Sequence, residues 1–211
     1  MSQLKAIRPF VTSTLLLGGV GLSSAALGAV QQVTGVPSTQ MKNPAEAVAV
    51  TASYNVDDAD NTLTGLGLNI HWDPTKLNFV SLTSVLATDK IAEGAGCTAD
   101  VGDLDGDPST TCLVPVGWLS LSGSWPNVAL PVDLATANFT SNVVAGDSTN
   151  VRFSASSTAA GYTFSGTPAQ VDGPPAPTTT TTTTTQTPTT TTTSTTQTPT
   201  TTTTSTTQTP T

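Results

Sequence analysis

Residues 62–82 read TLTGLGLNIHWDPTKLNFVSL. Leu66, Leu68, Ile70 and Trp72 alternate with Gly67, Asn69 and His71, the period of two that marks a strand with one buried face. On that parity Trp72 belongs to the core and His71 to the solvated side. Asp73-Pro74 ends the run, because proline presets φ and cannot donate to a ladder. Leu77 and Phe79 then resume the alternation. Upstream, Val48, Val50, Ala52, Tyr54 and Val56 alternate in the same way, before a polar turn at 57–61. Further strands are expected over 113–121, 130–139, 150–156 (Val151, Phe153 and Ala155 inward) and 161–165. Residues 83–94 are expected to hold a short helix or an irregular excursion. Short strands separated by Gly/Asn/Asp/Ser turns predict an all-β fold, an antiparallel β-sandwich.

Composition divides the chain of 211 residues into three unlike pieces. Residues 1–28 carry Lys5 and Arg8, then an apolar run ending in Ala26-Leu27-Gly28, which reads as a secretory signal peptide. Its apolar core is shorter than the roughly 20 residues of a membrane span, so no stable span is expected once the signal is removed. Residues 174–211 are almost wholly Thr, Pro, Gln and Ser. Gln186, Gln197 and Gln208 stand 11 apart, as do Pro188, Pro199 and Pro210. With no apolar side chains to bury, this segment cannot offset its ordering entropy, and it reads as a disordered low-complexity linker or stalk. It breaks off in mid-repeat, which raises the expectation of a further module downstream. The remaining stretch, 29–173, has the length of one domain. A net charge of −8 argues against a nucleic-acid partner.

Three blocks of this middle piece resemble a known family. The first is Gly65-Leu66-Gly67-Leu68-Asn69-Ile70-His71-Trp72-Asp73-Pro74-Thr75-Lys76-Leu77, the second Asp133-Leu134-Ala135-Thr136-Ala137-Asn138-Phe139, and the third Val151-Arg152-Phe153-Ser154-Ala155. Together they resemble the cohesin-type domain, a β-sandwich of jelly-roll topology related to bacterial carbohydrate-binding modules. Trp72 stands where the family more often has Tyr, and residues 97–112 are not a general family feature. The resemblance implies a secreted or cell-surface, non-catalytic bacterial module. A sheet face of such a module would receive a dockerin-bearing protein partner in extracellular polysaccharide-degrading or surface assemblies. A carbohydrate-binding or adhesion module, with polysaccharide as partner, is the alternative.

Few residues invite chemistry. Cys97 and Cys112 are the only cysteines, and an even count in an exported chain predicts a disulfide. Within that loop Asp103, Asp105 and Asp107 have the spacing of the opening ligands of a calcium loop. Pro108 replaces the glycine of that pattern and no glutamate stands near Val114, so a solvated acidic turn is the alternative. Of the three tryptophans, Trp118 sits among core residues, whereas Trp125 lies in a Ser/Gly/Pro turn and is the candidate for an exposed sugar-stacking platform. No catalytic constellation emerges. His71 is the single histidine, Asp73 is accounted for by its turn, and no serine sits in a nucleophile-elbow context. Asn138-Phe139-Thr140 matches a glycosylation sequon, but in a strand expected to pair.

Overall fold

The computed structural model describes residues 28–178. The expected signal segment, except Gly28, and the threonine-rich repeats from 179 onward lie outside the described residues. The first of the two units into which the chain divides ends at Ala176. The strands are β1 Val30–Val36, β2 Thr39–Met41, β3 Ala47–Val56, β4 Thr62–Leu63, β5 Gly65–Trp72, β6 Leu77–Thr83 and β7 Lys90–Glu93. They continue as β8 Thr98–Ala99, β9 Cys112–Leu119, β10 Trp125–Pro126, β11 Val132–Ser141, β12 Ser148–Ser157, β13 Thr163–Thr167 and β14 Ala169–Asp172. Among the described residues there is no helix. The short helix offered for 83–94 is therefore not formed, and part of that segment is β7 instead.

One sheet runs β13-β1-β3-β11-β6 and the other β2-β14-β12-β5-β9-β7, with β8 also on β9 and a small β4/β10 ladder beside them. The two sheets form a β-sandwich, and the chain crosses repeatedly between them, as a jelly roll does. Adjacent strands pair antiparallel with two exceptions, β1 with β13 and β14 with β2. The exceptions have one origin. Pro37 separates β1 from β2 and Pro168 separates β13 from β14, so both end segments change sheet at the same level. A proline cannot donate to a ladder and ends each first strand there. Where the two switches meet, a Cβ on Gly35 would lie 2.7 Å from the Cβ of Ala169, so only glycine lets them pass.

The core follows the alternation. Val48, Val50, Ala52, Tyr54 and Val56 of β3 face Leu66, Leu68, Ile70 and Trp72 of β5, joined by Val114, Val116 and Trp118 of β9. At one end Trp72, Phe79 and Phe139 pack with ring centroids 5.2–5.8 Å apart. At the other end Trp125 lies 5.0 Å from Tyr54 and 5.8 Å from Trp118. Trp125 is fully buried, which corrects its assignment as an exposed sugar platform. Its turn is half of the β4/β10 ladder, with Trp125 opposite Leu63, and that ladder folds the ring into the sandwich. Gln31 closes the same end from inside. Its amide donates to Tyr54 Oη at 2.8 Å and to the Gly65 carbonyl at 3.1 Å, and it accepts from the Ala159 N–H at 2.8 Å.

Candidate functional site

β5 is buried along both faces, not one. Its inner face meets the core as expected. Its outer face carries Gly65, Gly67, Asn69 and His71, opposite Leu119, Gly117, Pro115 and Leu113 of β9. Half of that face is covered by residues 97–112. Cys97 and Cys112 form a disulfide with their Cα atoms 5.1 Å apart. β8 then pairs with the start of β9, Thr98 opposite Leu113, and residues 100–110 cross β5 to reach Arg152 on β12. The expectation that His71 is solvated fails for this reason: its parity is right, but the disulfide loop lies over it and leaves it fully buried.

Polar pairs hold this lid. His71 Nε2 lies 2.7 Å from Ser154 Oγ, and Asn69 Nδ2 donates to the same oxygen at 3.2 Å. His71 Nδ1 lies 3.0 Å from Asp100 Oδ2, while the Leu104 N–H donates to both carboxylate oxygens of Asp100. Arg152, the only arginine among the described residues, sets Nε 3.2 Å from Asp105 Oδ2 and donates to the Asp105 carbonyl at 3.0 Å. The Thr110 hydroxyl donates to Asp105 Oδ2 at 2.7 Å. Burial holds the His71 imidazole below its usual range, against the opposing pull of Asp105 and Asp100. The Ser109 hydroxyl and N–H, with help from Arg152, hold the Asp107 carboxyl below the usual range.

The three carboxylates of the expected calcium loop are treated differently by the fold. Asp103 is exposed with φ 48°, Asp105 is turned under the lid, and Asp107 faces Ser109 and lies 3.6 Å from Arg152. The three ligating groups that the fold does gather are His71, Asp100 and Asp105. Asp100, Arg152 and Ser154 were given no site role from the sequence. The available signal was Arg152 itself, an outward-facing cation in a strand, with a nearby acidic loop as its natural partner.

The uncovered half of the same sheet face has a different character. Gly65, Gly67 and Gly117 are buried beneath it: the Ser156 and Ser157 side chains close over Gly67, and a Cβ on Gly117 would lie 3.6 Å from the Ile91 side chain. Ile91 is therefore on this face, as is Leu119 by its parity with Gly117. Ile91 is 65% exposed and Leu119 46%; Leu121 follows at 95% just beyond β9. Leu104 at the lid's margin is 57% exposed. A cleft of about 550 Å³ runs along the lid between Leu104, Asp105 and residues 153–158. The outer face of the other sheet presents Thr34, Ala49, Thr51, Ser53, Thr136 and Thr140, small and mostly polar, with Val36 and Val80 the larger apolar side chains exposed on it.

No protein-family model and no curated protein matches this chain. Solved structures similar to it include the third cohesin of ScaC from Acetivibrio cellulolyticus, in complex with the ScaB dockerin. That match has 11% identity and a TM-score of 0.45, covering 69% of this chain and 99% of the cohesin. A cohesin of OlpA from Clostridium thermocellum, solved with the dockerin Doc918, is 12% identical with a TM-score of 0.43 over 69% of this chain and 99% of that one. A type III cohesin of the cell-surface anchoring scaffoldin ScaE of Ruminococcus flavefaciens is 14% identical, with a TM-score of 0.40, covering 74% and 93%.

Proposed function

We propose that this chain is a non-catalytic binding module of the cohesin type, exported and held on a Thr/Pro stalk. It would dock a protein partner of the dockerin kind on the open half of the β5/β9/β7 face. One observation carries the choice of face: Ile91 of β7 and Leu119 of β9 are both exposed on the outer face of this sheet edge. Contiguous exposed apolar side chains mark interaction surfaces more often than scattered ones do. The partner class comes from the three sequence blocks that resemble cohesins. The reading favours protein over polysaccharide because Trp125, the candidate ring for sugar stacking, is inside the core.

The test is calorimetric titration of the chain with a panel of purified dockerin modules, beside an Ile91→Asp/Leu119→Asp variant. The reading expects saturable binding by at least one dockerin, weakened about a hundredfold or more in the variant, as loss of a central apolar anchor pair entails. Retention on insoluble polysaccharide with no dockerin bound would reverse it.

A further inference from the structure

The lid brings together three side chains that no strand pattern connects. His71 is fully buried, the Asp100 and Asp105 side chains are each 1% exposed, and one ligating atom from each lies within 4.8 Å of the others. Ser154 Oγ accepts from Asn69 and sits 2.7 Å from His71 Nε2; a hydroxyl oxygen has a second lone pair, so it can also accept from the tautomer protonated at Nε2. Nδ1 is then a bare lone pair. It has no hydrogen-bond partner, although Asp100 Oδ2 is only 3.0 Å away. In that tautomer a cation held by both atoms would satisfy them.

The local charge points the same way. The lid carries four carboxylates, Asp100, Asp103, Asp105 and Asp107, with Arg152 as the cation paired to it.

We propose that His71 Nδ1, Asp100 and Asp105 bind one divalent transition-metal ion of the zinc kind. Imidazole with two carboxylates is a donor set for such ions, whereas calcium prefers oxygen alone. Three protein ligands leave an open position for water. Arg152 and Thr110 occupy Asp105 Oδ2, so Oδ1 is the ligating atom; its hydrogen bond from the Asp107 N–H is long, at 3.3 Å. Ser154 and Asn69 orient the ring, as partners of a metal-bound histidine commonly do. The ion would tie β5 to two points of the lid, independently of the disulfide and of the docking face.

The untagged full chain, stripped with a chelator, would be titrated with zinc by calorimetry and with cobalt(II) by visible absorption. The proposal expects one ion per chain, a raised Tm and a ligand-field band. Asp103→Asn should leave zinc affinity unchanged, while His71→Gln and Asp100→Asn should each lower it about tenfold or more. Asp100→Asn keeps the shape of the site should His71→Gln fail to fold, and circular dichroism checks both. No zinc uptake by the folded chain overturns the proposal, as does uptake that survives both variants. A calcium response abolished by Asp103→Asn, without a zinc response, would assign the loop to calcium and overturn it equally.

Discussion

Trp125 shows how far a local sequence reading can miss. Its neighbours Ser122, Gly123, Ser124 and Pro126 are turn residues, and nothing local says that the turn pairs with residues 62–63, some sixty positions earlier. Buried against Tyr54 and Trp118, the ring is a structural plug. Trp125→Ala should therefore lower stability by about 3–5 kcal/mol in denaturant unfolding, the usual cost of emptying a large aromatic site; a change under about 0.5 kcal/mol would mark an exposed ring. Tyr54, beneath it, gives an alkaline signature. Burial pushes its phenol up to about 12 from an ordinary value of 10.0. The unfolded chain therefore loses this proton first, and stability present below pH 10 is lost as pH rises toward 12. Thermal melts should fall across that window, and Tyr54→Phe should flatten the part that Tyr54 contributes. His71 was legible in parity but not in burial, because burial depends on a loop that begins 26 positions later at Cys97.

Strands with clean alternation were legible. β3, β5, β9 and β12 lie within a few residues of their expected spans, since each packs one face on the core. β7 was not, because all four of its residues are exposed and no alternation marks it. β1 hid its inner face behind Gln31 and Gly35, one a buried polar bridge and the other a close approach. The disulfide was legible from cysteine count, but its consequence for β5 was not. Closing a loop of about 15 residues contributes roughly 3 kcal/mol in the chain-entropy model. Cys97→Ser/Cys112→Ser should lose about that much. Hydrogen exchange should quicken at 98–111 and at the outer residues of β5, while β3 and β11 in the other sheet stay protected. Uniform loss of protection across both sheets would show that the loop is part of the core and not a lid over one face.

On the scale of the whole molecule, the two outer sheet faces are unlike. The β13-β1-β3-β11-β6 face is small and mostly polar along β3 and β11, with Val36 and Val80 exposed on β1 and β6. The opposite face is half sealed by a disulfide-pinned lid, and Ile91 and Leu119 are exposed on its β7/β9 part. The sequence blocks around Asp73-Pro74 pointed to the sandwich, but no motif marks a docking face. Only the folded chain brings β7, β9 and the lid margin together. The most direct measurement is dockerin binding by calorimetry, with the Ile91→Asp/Leu119→Asp variant set against Ala49→Glu on the other sheet. The account predicts that a dockerin binds the native chain, that Ala49→Glu leaves the affinity unchanged, and that the double variant loses about a hundredfold or more at unchanged Tm. Binding lost with Ala49→Glu but kept in the double variant would contradict the choice of face, and no dockerin binding at all would contradict the central claim.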